Sequence, residues 1–157
     1  MKFKHINKLN AFINEIDEAL TKDSNKKEVK YSPEHISSWD VEKFDSDNKQ
    51  LLDDITKNAN LYMLHTCNKD EQEYKLRYIG KTKANLARQR LRNHLFKKND
   101  NTGAKLELIQ SHVQKGGSVK ISWVTIEPES LRNWAEEALI NKHTEADWNR
   151  ENKKKRK

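Results

Sequence analysis

Two short runs, Asn60-Leu61-Tyr62-Met63 and Arg77-Tyr78-Ile79-Gly80-Lys81, constrain this chain more than any other feature. Residues 60–66 and about 74–80 are rich in Leu, Tyr and Ile, and the charged tip Asn68-Lys69-Asp70-Glu71-Gln72 joins them, which predicts a hairpin. Gly80 closes the second run at a strand-to-helix corner, where a missing Cβ would let a phosphate or metal approach the backbone. A lone strand tyrosine is by default a half-buried packing residue. Whether Tyr62 and Tyr78 are more than that depends on what surrounds them.

Upstream, Phe3, Ile6, Leu9, Phe12, Ile13, Ile16 and Leu20 recur at spacings of three and four and predict an amphipathic helix. Residues 21–31 read as a polar loop. Ser32-Pro33-Glu34 opens a short helical turn, and Asp45-Ser46-Asp47 offers caps for a helix burying Leu51, Leu52 and Ile55. Downstream, Ala84, Ala87, Leu91 and Leu95 mark one helix face, which Asp100-Asn101-Thr102-Gly103 should end. A second helix is expected over 104–115, with Leu106, Ile109 and Val113 inward, and Gly116-Gly117 breaks it. Val119 to Ile126 alternates as a third strand, and Leu131, Trp134, Ala135, Ala138 and Leu139 trace a last helix.

The order predicts an α+β fold: a small three-stranded antiparallel sheet flanked by helices, with an N-terminal helical extension. Residues 1–58 form that extension, 59–150 the core, and 151–157 a basic, disordered tail. At 157 residues, one domain with a core is expected.

Charge is uneven. Residues 1–60 hold 10 Lys, no Arg and 12 acids, leaving 21 basic and 12 acidic residues for the remainder. That favours a polyanion met by the C-terminal two-thirds. The lone Cys67 excludes an internal disulfide and a cysteine-rich zinc site. No apolar run has signal-peptide or membrane-span length, so a soluble, cytoplasmic protein is expected, with no membrane partner.

On the helix after Gly80, Arg90 and His94 are four apart and share a face. An Arg offers a two-pronged grip on phosphate, and a His titrates near neutrality. Arg88, Arg90 and Arg92 read equally as a solvated basic face. On the last helix Glu136 and Glu137 flank the apolar stripe at opposite borders, and periodicity leaves open which faces the sheet.

Together these residues resemble the GIY-YIG endonuclease family over roughly residues 59–150. Tyr62 stands at the tyrosine of the first motif, with Asn60-Leu61 in place of Gly-Ile, and Tyr78-Ile79-Gly80 matches the second, followed by Lys81. Asn85-Leu86 and Arg90-Leu91 resemble the next run with one extra residue between them, and His94 follows Arg90 by four. In Trp134-Ala135-Glu136-Glu137-Ala138-Leu139-Ile140 the family's metal-binding Glu precedes Leu-Ile by three, which selects Glu136. Asn149 resembles the terminal Asn, although the family's preceding proline is absent.

The resemblance implies a divalent-metal DNA endonuclease with Mg²⁺, or Mn²⁺, on Glu136, and Arg90 gripping the phosphate. Tyr62 acts as base or relay and Tyr78 orients the water, with the opposite division also open. A free tyrosine has a pKa of about 10, so a tyrosine base needs a cation or relay, for which Lys81 and His94 are the candidates. Gly80, Lys83, Arg88 and Arg92 are expected to touch double-stranded DNA. The 16-residue step between the tyrosines and the helical extension favour a restriction-type enzyme, with dimerisation bringing two sites to two strands. The alternatives are a phage, mobile-element or repair-type nuclease, or an idle DNA-binding module.

Overall fold

The computed structural model describes residues 1–98 and 105–153. The predicted hairpin forms: β2 (Leu61–Cys67) pairs antiparallel with β3 (Lys75–Lys81). β4 (Ser118–Val124) lies on the other side of β2. The expected three-stranded sheet needs correcting, because residues 21–31 contain a fourth strand, β1 (Lys27–Val29), paired antiparallel with β4. The sheet is open, with order β1-β4-β2-β3. Three residues with one apolar member are too short to show alternation, so β1 leaves no strand pattern in the sequence.

Two helical layers cover the sheet. On one face Tyr62, Leu64, Tyr78 and Ile121 pack against α3 (Val41–Asp47), α4 (Lys49–Ile55), α5 (Ala87–Leu95) and α6 (Leu106–Gln114), with the short α2 (Pro33–Ile36) at its border. On the other, Leu61, Met63, Leu76 and Ile79 meet α1 (Ile6–Thr21) and α7 (Arg132–Lys142). Only the C-terminal half of α1 docks fully, at Ile16 and Leu20, while Phe3 and Ile6 are exposed. Asp45-Ser46-Asp47 falls inside α3, whose cap is Asp40 accepting from the Lys43 N–H. No helix among the described residues is long and apolar enough to cross a membrane.

One irregularity in β3 separates Leu76 from Tyr78. Leu64 pairs with Tyr78 but the next residue, His65, pairs with Leu76, so Arg77 is an extra residue in a β-bulge. Regular alternation would place Leu76 and Tyr78 on the same face. The bulge sends Leu76 toward α7 and Tyr78 toward Tyr62 and α5.

The N-terminal extension is joined to the core by specific polar contacts. The Tyr31 hydroxyl donates to the Leu95 carbonyl (3.0 Å) and the Trp39 indole N–H to the Phe96 carbonyl (2.9 Å). These are carbonyls at the end of α5 that no helical N–H can reach. Of the expected disordered tail, the described residues 151–153 belong to a helical turn, α8 (Arg150–Lys153), with Asn152 buried. Residues 154–157 and the expected break at Asp100–Gly103 lie outside the described residues.

Three buried asparagines each bind both backbone groups of one distant residue. Asn48 takes the Lys30 N–H (2.8 Å) and donates to its carbonyl (2.8 Å). Asn60 does the same at Ile126 (2.9 and 2.8 Å) and Asn149 at Ile79 (2.9 and 2.8 Å). Asn48→Ala would strand two backbone groups in a site where the side chain is 2% exposed. At about 1–3 kcal/mol for each unsatisfied group, a loss of about 2–4 kcal/mol is expected in urea unfolding, with an unchanged m-value. A loss below about 0.5 kcal/mol would show that water or rearrangement replaces the bonds.

Candidate functional site

The site is built around β3, which is an edge strand. On its α5 side, Tyr62 and Tyr78 lie with ring centroids 6.2 Å apart, and His94 stands 5.7 Å from the first and 5.4 Å from the second. On its α7 side, Lys81 forms an ion pair with Glu136 (Nζ to Oε2, 2.6 Å). The two halves meet round the β3 edge in a cleft of about 300 Å³ lined by Tyr78, Lys105, Glu136, Ile140, Asn149, Arg150 and Glu151. Glu136 is half-buried at the cleft and Glu137 is exposed one residue further round α7.

Gly80 serves a purpose other than the one expected. A Cβ there would lie 2.5 Å from the Tyr62 Cζ and 2.5 Å from its hydroxyl oxygen. The space left by the missing side chain holds the Tyr62 ring, so it does not admit a phosphate or metal.

His94 is fully buried and fixed at both nitrogens. Its Nδ1 accepts the Lys105 backbone N–H (2.9 Å), and its Nε2 lies 2.8 Å from the Tyr62 hydroxyl. A backbone N–H can only donate, so the neutral ring carries its proton on Nε2 and gives it to the Tyr62 oxygen. Burial, then Arg90 and Lys105, push the His94 pKa down to about 3, which keeps the ring neutral. His94 therefore cannot take a proton from Tyr62, contrary to the relay considered for it. The other candidate, Lys81, is held by Glu136 on the opposite side of the sheet.

Burial raises the pKa of both phenols, that of Tyr62 strongly, while the neighbouring Arg90 guanidinium opposes the rise. Arg90 is itself disfavoured by burial, but the phenols draw its pKa up. Tyr62 presents no surface to solvent, and Tyr78 is 9% exposed and lines the cleft. The Tyr62 hydroxyl also lies near enough to that of Tyr78 to favour its ionisation.

The other expected residues divide sharply. Asn149 lies on the β3 edge, but its carboxamide is occupied by both backbone groups of Ile79, making it a positioning residue at the cleft wall. Arg88 and Arg92 do not belong to a free phosphate-binding face. Arg88 bonds Asp53 (2.6 Å), and Arg92 grips both carboxylate oxygens of Asp45 through Nε (2.7 and 2.8 Å). Lys83 is exposed beside the site.

Comparison with protein-family models, with curated proteins and with solved structures finds no match to this chain. Its chemistry must be read from the cleft itself.

Sequence reasoning missed Lys105, Arg150 and Glu151 at the cleft. Arg150 closes the expected core with no role of its own, Glu151 falls in the expected tail, and Lys105 stands in no motif.

A second buried histidine, His65, bonds Ser122 (3.1 Å), and burial followed by Lys26 brings its pKa down to about 3 as well. Both histidines remain neutral in the fold, whereas unfolded histidine titrates near 6.5. Unfolded chains consequently bind more protons between pH about 6.5 and about 3, so stability is full above this window and falls as pH drops through it. Each histidine should remove up to about 1.4 kcal/mol per pH unit, read as a falling urea midpoint from about pH 7 to 5. His65→Gln should flatten that fall, and a midpoint constant across the window would refute neutral burial.

Proposed function

We propose that the chain is a divalent-metal-dependent DNA phosphodiesterase, the activity implied by its resemblance to the GIY-YIG nucleases. The observation that carries this reading is the meeting of Tyr78 and Glu136, from β3 and α7, in one cleft, with Tyr62, Arg90 and His94 gathered behind Tyr78 and Lys81 paired to Glu136.

The donor set suits one metal type. Glu136 offers a hard carboxylate at the cleft, and the described residues contain no group of three His, Cys, Asp or Glu that would cage an ion. Mg²⁺ commonly uses one or two carboxylates, water and substrate phosphate. Glu136 would hold it, with Lys81 fixing the carboxylate. Bound there, the ion would neutralise charge building on the phosphate. Mn²⁺ suits the same oxygen set.

Arg90 supplies the planar donors for a non-bridging phosphate oxygen. For Tyr62 to accept the water proton it must first lose its own to solvent through Tyr78, an ionisation that burial resists and that Arg90 and the His94 Nε2–H assist. Since Tyr62 has no exposed surface, Tyr78 relays: its oxygen takes the proton from water as its own proton passes to Tyr62. Both tyrosines are needed on this account, in place of a minor role for Tyr78.

Residues 1–58 add a strand to the sheet and helices to both of its faces, which suits a compact enzyme of restriction type better than a separate targeting module. Duplex DNA is the substrate, and a dimer would deliver a site to each strand.

Glu136→Ala should abolish Mg²⁺-dependent plasmid cleavage while Glu137→Ala remains close to wild type. The reverse result would remove the cleft from the chemistry. Tyr62→Phe and Tyr78→Phe should each slow cleavage by about 10²–10⁴-fold, the usual contribution of proton transfer by a placed side chain. A Tyr78→Phe enzyme of near-normal rate would eliminate the relay. Folding of each variant is checked by circular dichroism.

A further inference from the structure

Cations near the cleft fall into two classes. Lys81, Arg88 and Arg92 are each matched by a carboxylate, on Glu136, Asp53 and Asp45 respectively. Lys105, Arg150 and Lys153 have no ion-pair partner among the described residues. Lys105 and Arg150 line the cleft directly, and Lys153 follows Arg150 by three residues on α8. The Lys105 Nζ lies 5.2 Å from the centre of the Tyr78 ring, on the wall facing Glu136.

Resting on the nuclease reading above, we propose that Lys105, Arg150 and Lys153 form the phosphate-binding wall of the cleft and carry the backbone of the DNA strand being cut. Lys105, beside Tyr78, meets the phosphate nearest the reacting bond. Arg150 and Lys153 meet its neighbours along the strand. The α5 arginines Arg88 and Arg92 are excluded from this task because their guanidinium groups are already held.

Crowding of like charge supports the assignment. Burial, then Lys153 and Arg150, lower the Lys105 pKa, and Arg90 adds to the effect while Glu151 opposes it. The groups facing Lys105 are thus Tyr78, Glu136, Arg90, Arg150, Lys153 and Glu151, and the two acids do not offset the three cationic neighbours. An incoming polyanion relieves that repulsion, and releases its own counterions in doing so. Lys105 is also fixed in place, since its backbone N–H holds His94. The hydrogen bond that sets the Tyr62 environment and the cation at the phosphate therefore come from one residue.

The test separates binding from cleavage. Affinity for a short fluorescein-labelled DNA duplex is measured in EDTA, in a Glu136→Gln background, at salt from about 50 to 200 mM. Each of the three cations changed to Gln should reduce the slope of log affinity against log salt by about 0.9, and the triple variant by about 2–3. Lys105→Arg should restore the slope lost in Lys105→Gln, and circular dichroism confirms folding. Lys8→Gln on α1 and Arg88→Gln on α5 should leave the slope unchanged.

A triple variant with the parental slope, or a loss at Arg88→Gln equal to that at Lys105→Gln, would overturn the wall while leaving the nuclease reading standing. Absence of DNA binding in the Glu136→Gln parent, together with absence of cleavage by the unmutated chain, would overturn both.

Discussion

Arg77 has no partner opposite it on β2, and the opposite facing of Leu76 and Tyr78 follows from that. With the bulge, Tyr78 turns to the face of the sheet where Tyr62, Arg90 and His94 are gathered. Without it, Leu76 and Tyr78 would share one face, and one of them would leave its cluster. The bulge is held from outside the hairpin: the Trp148 N–H donates to the Arg77 carbonyl (2.9 Å), and the Arg77 guanidinium lies over the Trp148 ring at 5.2 Å. One residue further, Asn149 occupies both backbone groups of Ile79. Segment 147–149 therefore blocks the free edge of β3 against another strand and builds one wall of the cleft.

The second constraint is the fixing of α5, which carries Arg90 and His94. A nine-residue helix is marginal without tertiary support. Tyr31 and Trp39 take up its terminal carbonyls, and Asp45 and Asp53 hold its outward arginines. All four belong to the N-terminal extension, which places no side chain in the cleft. Its contribution is to keep a short helix at one angle to the sheet, so that the His94 ring meets the Tyr62 hydroxyl.

What could be read from the sequence followed from local repetition. The hairpin and the stripes of α5, α6 and α7 have periodic apolar residues, and the ordered tyrosines, Arg90 and Glu136 stand at fixed distances from them. Long-range polar pairing was invisible. Nothing near Arg92 in sequence points to Asp45, 47 residues earlier, so a paired arginine looked like a free one. Leu76-Arg77-Tyr78 reads as plain alternation, which hides the bulge. Gly80 was recognised as necessary for the wrong reason, because only the register opposite Tyr62 shows what fills its empty side. Lys105 is one lysine among many until the Tyr78 ring is placed beneath it.

The position of β1 has a consequence for how the chain acquires its shape. Lys27 is opposite Ile121, a separation of 94 residues, and β4 lies between β1 and the hairpin. During synthesis the first strand must wait, unpaired, until Ser118–Val124 has emerged. The hairpin, whose strands are close in sequence, can form long before. Such long-range closure is slow compared with helix and hairpin formation. The nascent protein thus spends its early life with α1 lacking the sheet surface that Leu20 will cover, and the cleft takes form only when β4 closes the sheet.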